Sequence, residues 1–222
     1  RSHCIEGFLR YLSEIKASDQ LYILGDLFEA WLGDDDDTPF IQAIASALQA
    51  CPGILYFMHG NRDFLLGEAY AARCGLTLLP EHHQITVGSE TILLLHGDSL
   101  CTDDTAYMKI RPMLRDPSFQ QQLLAKPILE RQAIALDARA ESQAHTSQTK
   151  LAIMDVTPHA VRDVLQAQQC QTMIHGHTHR PFDHHSVLGN QIGRRMVLGD
   201  WDNEGWHIRE TDSGLILEAF AL

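Results

Sequence analysis

No stretch of this chain approaches the roughly 20 consecutive apolar residues that a membrane-spanning helix requires, so any membrane contact is expected to be peripheral. Positive charge is scarce. Seventeen lysines and arginines against 29 aspartates and glutamates leave a net charge of −12, which excludes the basic surface that general nucleic-acid binding needs. The five cysteines, Cys4, Cys51, Cys74, Cys101 and Cys170, show no close metal-finger spacing, and their odd count argues against a disulfide framework. No secretory signal, internal repeat or low-complexity tract is visible, and a reducing cytoplasm fits best. The 222 residues, 45% of them hydrophobic, suffice for one α/β domain with a full core.

Against this plain background four short polar motifs follow one another: Gly25-Asp26, Gly60-Asn61-Arg62-Asp63, His96-Gly97-Asp98 and Gly176-His177-Thr178-His179. Each ends an apolar run or opens a turn, which is where a parallel sheet delivers side chains to one common edge. Together they supply a carboxylate, an amide and three imidazoles, a mixed oxygen and nitrogen set suited to Mn²⁺, Fe²⁺ or Zn²⁺ rather than to Ca²⁺ or Mg²⁺.

The periodicity predicts a helix over residues 5–16, with Ile5, Phe8, Leu9, Leu12 and Ile15 on one face, and a buried strand over 21–24. A helix over about 39–50 stops at Pro52-Gly53, a strand covers 54–58 and a helix 68–74. Stacked βαβ units with helices on both sheet faces follow from this alternation. Strands over 84–87 and 91–95 form a hairpin about Gly88-Ser89-Glu90. From Asp104 to Gln148 the pattern is helical, with breaks predicted near Pro112, Pro117 and Pro127, and reads as an inserted lid over 104–148 within a single domain. A helix capped by Thr157 with Pro158 in its first turn precedes a strand over 172–174, and antiparallel strands are expected over 195–198, 206–209 and 215–219.

Asp26 is the natural bridging ligand, since its two oxygens can each bind one cation. Asn61 offers a neutral oxygen, and His96, His177 and His179 offer neutral nitrogens. His175 is read as supporting these. Two divalent cations would activate water and neutralise phosphate oxygens, so hydrolysis of a phosphorus–oxygen bond is the reaction favoured. Arg62 could hold a phosphate oxygen, the alternative being a surface salt bridge with Asp63. The run Asp34 to Asp37 reads as a solvated charge cluster, His82-His83 and His184-His185 as solvated loop pairs, and Trp31, Trp201 and Trp206 as packing residues.

These motifs resemble those of the calcineurin-like metallophosphoesterases, whose pattern is D-x-H, G-D, G-N-H-[DE], H-G and G-H-x-H. The wording of residues 21–31, 60–67, 96–104, 151–156 and 174–181 resembles one branch in particular, which hydrolyses UDP-2,3-diacylglucosamine to UMP and 2,3-diacylglucosamine 1-phosphate in lipid A biosynthesis. The resemblance implies a double β-sandwich flanked by helices, two Mn²⁺ per chain, and a peripheral position on the cytoplasmic face of a bacterial inner membrane, with no obligate protein partner. It assigns Asp26 and His179 to the first metal and Asn61, His96 and His177, with the shared Asp26, to the second. The D-x-H motif would lie before Arg1, and without it the first metal would be weakened.

By the same resemblance the substrate meets Asn61, Arg62 and His177 at the metals and Asp104, Tyr107, Arg139, Ser142, Thr146, Thr149 and Lys150 in the lid. Met108, Met113, Leu114, Phe119, Leu123, Leu124 and Ile128 either line an acyl groove or pack the lid. The family's histidine after Gly-Asn is replaced by Arg62, which stays charged and cannot act as a general acid. A departing sugar phosphate needs little protonation, so Arg62 agrees with a diphosphate substrate. Soluble nucleotide diphosphates are the alternative substrates.

Overall fold

The computed structural model describes residues 2–148, 155–188 and 191–222. Its first half is a run of short apolar segments separated by breakers. Helix α1 (Ser2–Glu14) leads to β1 (Gln20–Ile23), which stops at Gly25. Helix α2 (Pro39–Ala50) starts on a proline that needs no N–H there and buries Ile41, Ile44, Ala45 and Leu48, one stripe at helical spacing. Strand β2 (Ile54–Met58), α3 (Glu68–Cys74) and β3 (Leu76–Leu79) follow, Gly75 closing α3 in the left-handed region at φ 71°. The three strands pair in parallel in the order β1-β2-β3. Strand β3 was not expected: its four residues lie between a helix-closing glycine and Pro80, too short to show alternation, and its pairing with β2 defines it.

The second sheet holds β4 (His83–Val87), β5 (Glu90–Leu94), β6 (Thr172–His175), β7 (Phe182–Leu188) and β8 (Gln191–Val197) in the order β4-β5-β6-β8-β7. The β4–β5 hairpin is antiparallel, as expected, whereas β5, β6 and β8 run parallel. Strands β9 (Glu204–Thr211) and β10 (Gly214–Ala221) form an antiparallel ribbon. Met58 and Leu79 of the first sheet share a core with Ile92, Leu93, Met173 and Met196 of the second, and Ala160, Val161 and Leu165 of α7 (Pro158–Ala167) join that core. Leu55 and Phe57 turn the other way, toward Ile41, Ile44, Leu48 and Tyr70. Two sheets thus stand between layers of helices, the expected sandwich. Each large apolar side chain fully buried there contributes about 1.5–3 kcal/mol.

Between β5 and α7 lie a short 3₁₀ turn (Asp98–Leu100) and three helices, α4 (Thr105–Leu114), α5 (Pro117–Leu124) and α6 (Ile128–Gln148). Pro117 opens α5 and Pro127 precedes α6, but Pro112 breaks nothing, since α4 continues to Leu114. That proline sits in the last turn, while the start of α4 is held by the Asp104 carboxylate accepting the Tyr107 N–H at 3.0 Å. Among the described residues of these helices, Arg131 is the one buried side chain. Polar ties to the sheets therefore hold the segment where a large apolar core does not.

Three other expectations are corrected. Asp34 to Asp37 are not a solvated cluster: Asp34 accepts N–H bonds from Gly67 and Tyr70 at 2.8 and 2.9 Å, Asp35 pairs with Arg131, Asp36 accepts the Thr38 N–H, and Asp37 pairs with Arg73. Thr157 makes no side-chain cap on α7, because its hydroxyl is engaged by the Thr102 hydroxyl at 2.6 Å. His83 lies in β4 and His184 and His185 in β7, so neither histidine pair is a loop. The tryptophans do pack: Trp31 against Phe28 and Tyr70, and Trp201, its indole N–H donating to the Trp206 carbonyl, against Phe8, Tyr11 and Phe220.

Candidate metal centre

Strands β1 and β2 of one sheet and β5 and β6 of the other each end at one of the four motifs, and the structure brings the four ends together. Gly25 adopts φ 84°, and a Cβ there would lie 2.4 Å from the Gly60 nitrogen, so the first two loops touch through glycine backbones. Gly97 (φ 113°) makes the same close approach to His175, where a Cβ would lie 2.7 Å from Nδ1. Asp26, His177 and His179 all have positive φ, at 55°, 63° and 55°. Side chains pay for that conformation, and residues held in it cluster at functional sites.

Asp26, His96 and His177 bring ligand atoms within 4.8 Å of one another. Asn61 completes the group, its Oδ1 lying 3.0 Å from His96 Nε2 and 2.9 Å from His177 Nδ1. The His96 Nδ1–H donates to the Leu24 carbonyl at 2.7 Å, which turns Nε2 toward Asn61 Oδ1 and within 3.7 Å of an Asp26 oxygen. Burial, reinforced by His96, pushes His177 down to about 4, so its ring is neutral at pH 7. A carboxylate, an amide oxygen and two imidazole nitrogens that converge here make a mixed oxygen and nitrogen set, and this donor set fits a divalent cation.

His179 stands beside this group, facing Asp200 at 3.8 Å, and burial lowers its pKa. His175 is fully buried, receives the Arg195 guanidinium on Nε2 at 3.1 Å and donates from Nδ1 to the Gly176 carbonyl at 2.9 Å. Burial and then Arg195 push it down to about 3, so its ring is neutral.

Two buried carboxylates hold the loops. Asp63 accepts N–H bonds from Leu27 at 2.7 Å and Gly60 at 2.8 Å, and its pKa is pushed up to about 6 by burial and by neighbouring Asp26. Arg62 does not pair with Asp63. Its backbone N–H donates to Asp26 at 3.0 Å, and its guanidinium lies 3.5 Å from Asp26 and 3.0 Å from Glu29. Asp98, only 1% exposed, accepts from the Tyr107 hydroxyl at 2.5 Å and from Arg111 Nε at 2.9 Å, with Arg115 at 3.5 Å. Burial alone would raise its pKa, but His96 and the bonds from Arg111 and Tyr107 outweigh burial and hold the carboxyl well below the usual range.

The helical segment reaches the centre through these contacts. The Tyr107 ring lies 6.1 Å from that of His177, and Arg139 of α6 donates to the same Glu29 oxygen as Arg62. Asp104 caps α4, and Ser142 is exposed on α6 one turn from Arg139. The Thr146 side chain, Thr149 and Lys150 lie outside the described residues. Of the apolar candidates, Met113 and Leu124 are exposed and Met108, Leu114, Phe119, Leu123 and Ile128 half-buried.

Sequence reasoning passed over Asp63, Asp98, Glu29 and Asp200. Asp200 carried a usable signal, because Gly199-Asp200 closes β8 as Gly25-Asp26 closes β1. A second grouping, His3, Cys4 and Asp202, lies at the start of α1. There the His3 ring donates to the Asp202 carbonyl at 2.7 Å and the Cys4 thiol to that of Trp201 at 3.0 Å, which ties α1 to the chain after β8.

Residues 1–181 match the family model of calcineurin-like phosphoesterases. Curated relatives called UDP-2,3-diacylglucosamine hydrolase are similar over most of their length. That of Chromohalobacter salexigens is 48% identical, with 97% of this chain and 90% of the relative covered. That of Klebsiella pneumoniae subsp. pneumoniae is 45% identical (96% and 91% covered), and that of Escherichia coli O157:H7 46% identical (92% and 87% covered). Four strand-end motifs that converge on one donor set, and a match through residue 181, have one reading: this chain belongs to the calcineurin-like phosphoesterase family.

Proposed function

We propose that this protein hydrolyses the diphosphate of UDP-2,3-diacylglucosamine to UMP and 2,3-diacylglucosamine 1-phosphate in lipid A biosynthesis, using two Mn²⁺ per chain at the cytoplasmic face of the inner membrane. Divalent-metal dependence follows from the family. The choice of Mn²⁺, the count of two and the roles of individual residues belong to the proposal. The observation that carries it is the convergence of Asp26, Asn61, His96 and His177 beside Arg62, in a chain whose relatives are called hydrolases of that substrate.

In this reading Asp26, Asn61, His96 and His177 hold one cation and His179 with Asp26 takes part in holding the other. When bound, the cations supply Lewis acidity that activates water and offsets the charge of phosphate oxygens. The Leu24 carbonyl fixes the His96 tautomer, so Nε2 is presented as a ligand. Arg62 holds a phosphate oxygen of the substrate and gives up no proton. Water adds to the UMP phosphorus, the bond to the bridging oxygen breaks, and its electron pair leaves on the sugar phosphate, a stable anion that needs no general acid.

Residues 104–148 then act as the lid. Ile110, Met113, Leu124, Leu129, Ile134 and Leu136 are exposed on it, Leu129 at 76% and Leu136 at 64%. Apolar side chains left in water on a polar-anchored segment suit acyl chains and a peripheral membrane contact. No described helix is long and apolar enough to cross a membrane. Asp104, Tyr107, Arg139, Ser142, Thr146, Thr149 and Lys150 are the proposed sugar and phosphate contacts on this side.

The test is Mn²⁺-dependent release of UMP from UDP-2,3-diacylglucosamine beside UDP-glucose under the same conditions. Turnover of the lipid substrate at least about 100-fold above that of UDP-glucose is expected, since buried acyl chains contribute binding energy that the soluble analogue lacks. Equal turnover of the two would transfer the assignment to soluble nucleotide diphosphates.

A further inference from the structure

One carboxylate oxygen, Glu29 Oε2, accepts from two arginines that belong to different parts of the chain. Arg62 follows β2 and reaches it at 3.0 Å, and Arg139 reaches it from α6. All three side chains are accessible, Glu29 at 55%, Arg62 at 28% and Arg139 at 32%. The other ties of the helical segment differ: Asp98 is buried beneath Arg111 and Arg115, and Arg131 is itself buried where it meets Asp35. Among the described residues only the Glu29 junction joins two residues that the proposed function uses for phosphate, and its carboxylate is exposed.

We infer that Glu29 is a positioning residue whose carboxylate occupies the anion place between Arg62 and Arg139 in the resting protein, and that the substrate diphosphate enters by displacing it. The inference rests on the diphosphate reading above. Two guanidinium groups sharing one oxygen are arranged as they would be around a phosphate oxygen, and the diphosphate as a whole, with two charges and four terminal oxygens where the carboxylate has one charge and two oxygens, can engage both arginines with paired hydrogen bonds at once. Exposed ion pairs are weak and yield to such a competitor. Glu29 lies three residues after Asp26 in the same loop, so its release exposes Arg62 next to the metal ligands. The remaining anchors at Asp98 and Asp35 keep the helices attached while the Glu29 junction opens.

Displacement has a definite kinetic consequence. A carboxylate that must leave acts as an internal competitor, so its removal tightens binding of every ligand that uses the two arginines. Repulsion between the two freed guanidinium groups is screened by water at such exposure and does not offset this.

The test is Glu29→Gln in the full-length enzyme, with KM for UDP-2,3-diacylglucosamine and the calorimetric Kd of UDP measured together. Both are expected to fall about three- to tenfold, the range that two exposed ion pairs allow. In an Arg139→Ala background the same substitution is expected to change both much less, because one of the two displaced bonds is already gone. KM and Kd do not depend on how much of the sample is folded, so partial misfolding cannot imitate their fall. A KM and Kd that stay unchanged or rise would overturn the inference and leave Glu29 a scaffold for the two arginines. A lowered Kd for UDP in an enzyme with no turnover of the lipid substrate would uphold Glu29 as the competitor and overturn the substrate assignment instead.

Discussion

The carboxylate of Asp63 accepts the backbone N–H of Leu27 at 2.7 Å across 36 residues of sequence, and through its other oxygen that of Gly60 at 2.8 Å. One fully buried side chain thereby fixes the spacing of the loops that present Asp26 and Asn61. Asp63→Asn keeps the volume but turns an amide N–H₂ toward one of these donors. The expected loss is about 2–3 kcal/mol of stability, together with at least a tenfold loss of activity. Denaturant unfolding and turnover measured on the same preparation check it, and a variant with normal stability and rate would show that Asp63 does not space the loops.

Among the described residues of the helical segment Arg131 is the buried one, and it donates to the Leu32 carbonyl and to Asp35. Asp35 is exposed on its own side, so Arg131→Ala strands no buried charge; it removes packing and three hydrogen bonds. A global loss of only about 1 kcal/mol is expected, with a larger local one: amide exchange in α6 should accelerate well beyond that in β5 and β6. Uniform acceleration everywhere would mean that α6 is not held locally by this residue.

Asp98 makes the tie to α4 dependent on acid. Its ordinary pKa is 3.8, and His96, Arg111 and Tyr107 hold the folded value below that. The folded state therefore binds its proton later than the unfolded state, so the stabilisation is complete above pH 3.8 and fades as pH falls through the folded value. Asp98→Asn should cost about 2–3 kcal/mol by leaving Arg111 poorly paired. The gap between the two unfolding curves should be constant from pH 7 to 5 and close below 4. A gap that closed between pH 7 and 5 would contradict this assignment.

The four motifs were legible because each is a chemical exception at the end of an apolar run, and His96, Asn61 and His177 meet as their order implied. The pairing of Arg62 with Glu29 was not legible, because Asp63 is its neighbour in sequence while Glu29 comes near only when β1 and β2 lie side by side. The Asp34 to Asp37 run misled for a related reason. A row of carboxylates looks solvated until α3 and α6 arrive to supply the N–H groups and arginines that use it. Strand β3 escaped notice because four residues carry no period, and only β2 makes them a strand.

If His96 is a ligand, its removal should cost metal and activity together while the fold persists. The ring is buried, and its bonds run to one backbone carbonyl and to the candidate centre, so His96→Ala leaves the strand pairings in place while weakening the electrostatic support of Asp98. Turnover should fall at least about 100-fold, since removal of supporting residues alone commonly costs 10–100-fold. Metal content by atomic emission should fall in parallel. Retained activity in His96→Ala would remove this donor set from the chemistry.

Arg62 separates the roles of charge and of proton. Its guanidinium lies 3.5 Å from Asp26 and 3.0 Å from Glu29. Held there as a permanent cation, it can steady a phosphate oxygen as charge develops but cannot protonate a leaving group. Arg62→Ala should therefore lower kcat/KM by about 100-fold, and Arg62→Lys should recover part of that by restoring the charge without the planar fork. Arg62→His would place an imidazole at the family's usual position. If leaving-group protonation mattered for this substrate, that variant would exceed the native rate. Because the departing group is a phosphate, the expected order is Arg, then Lys, then His and Ala, and a His variant faster than Arg would refute the role given to Arg62.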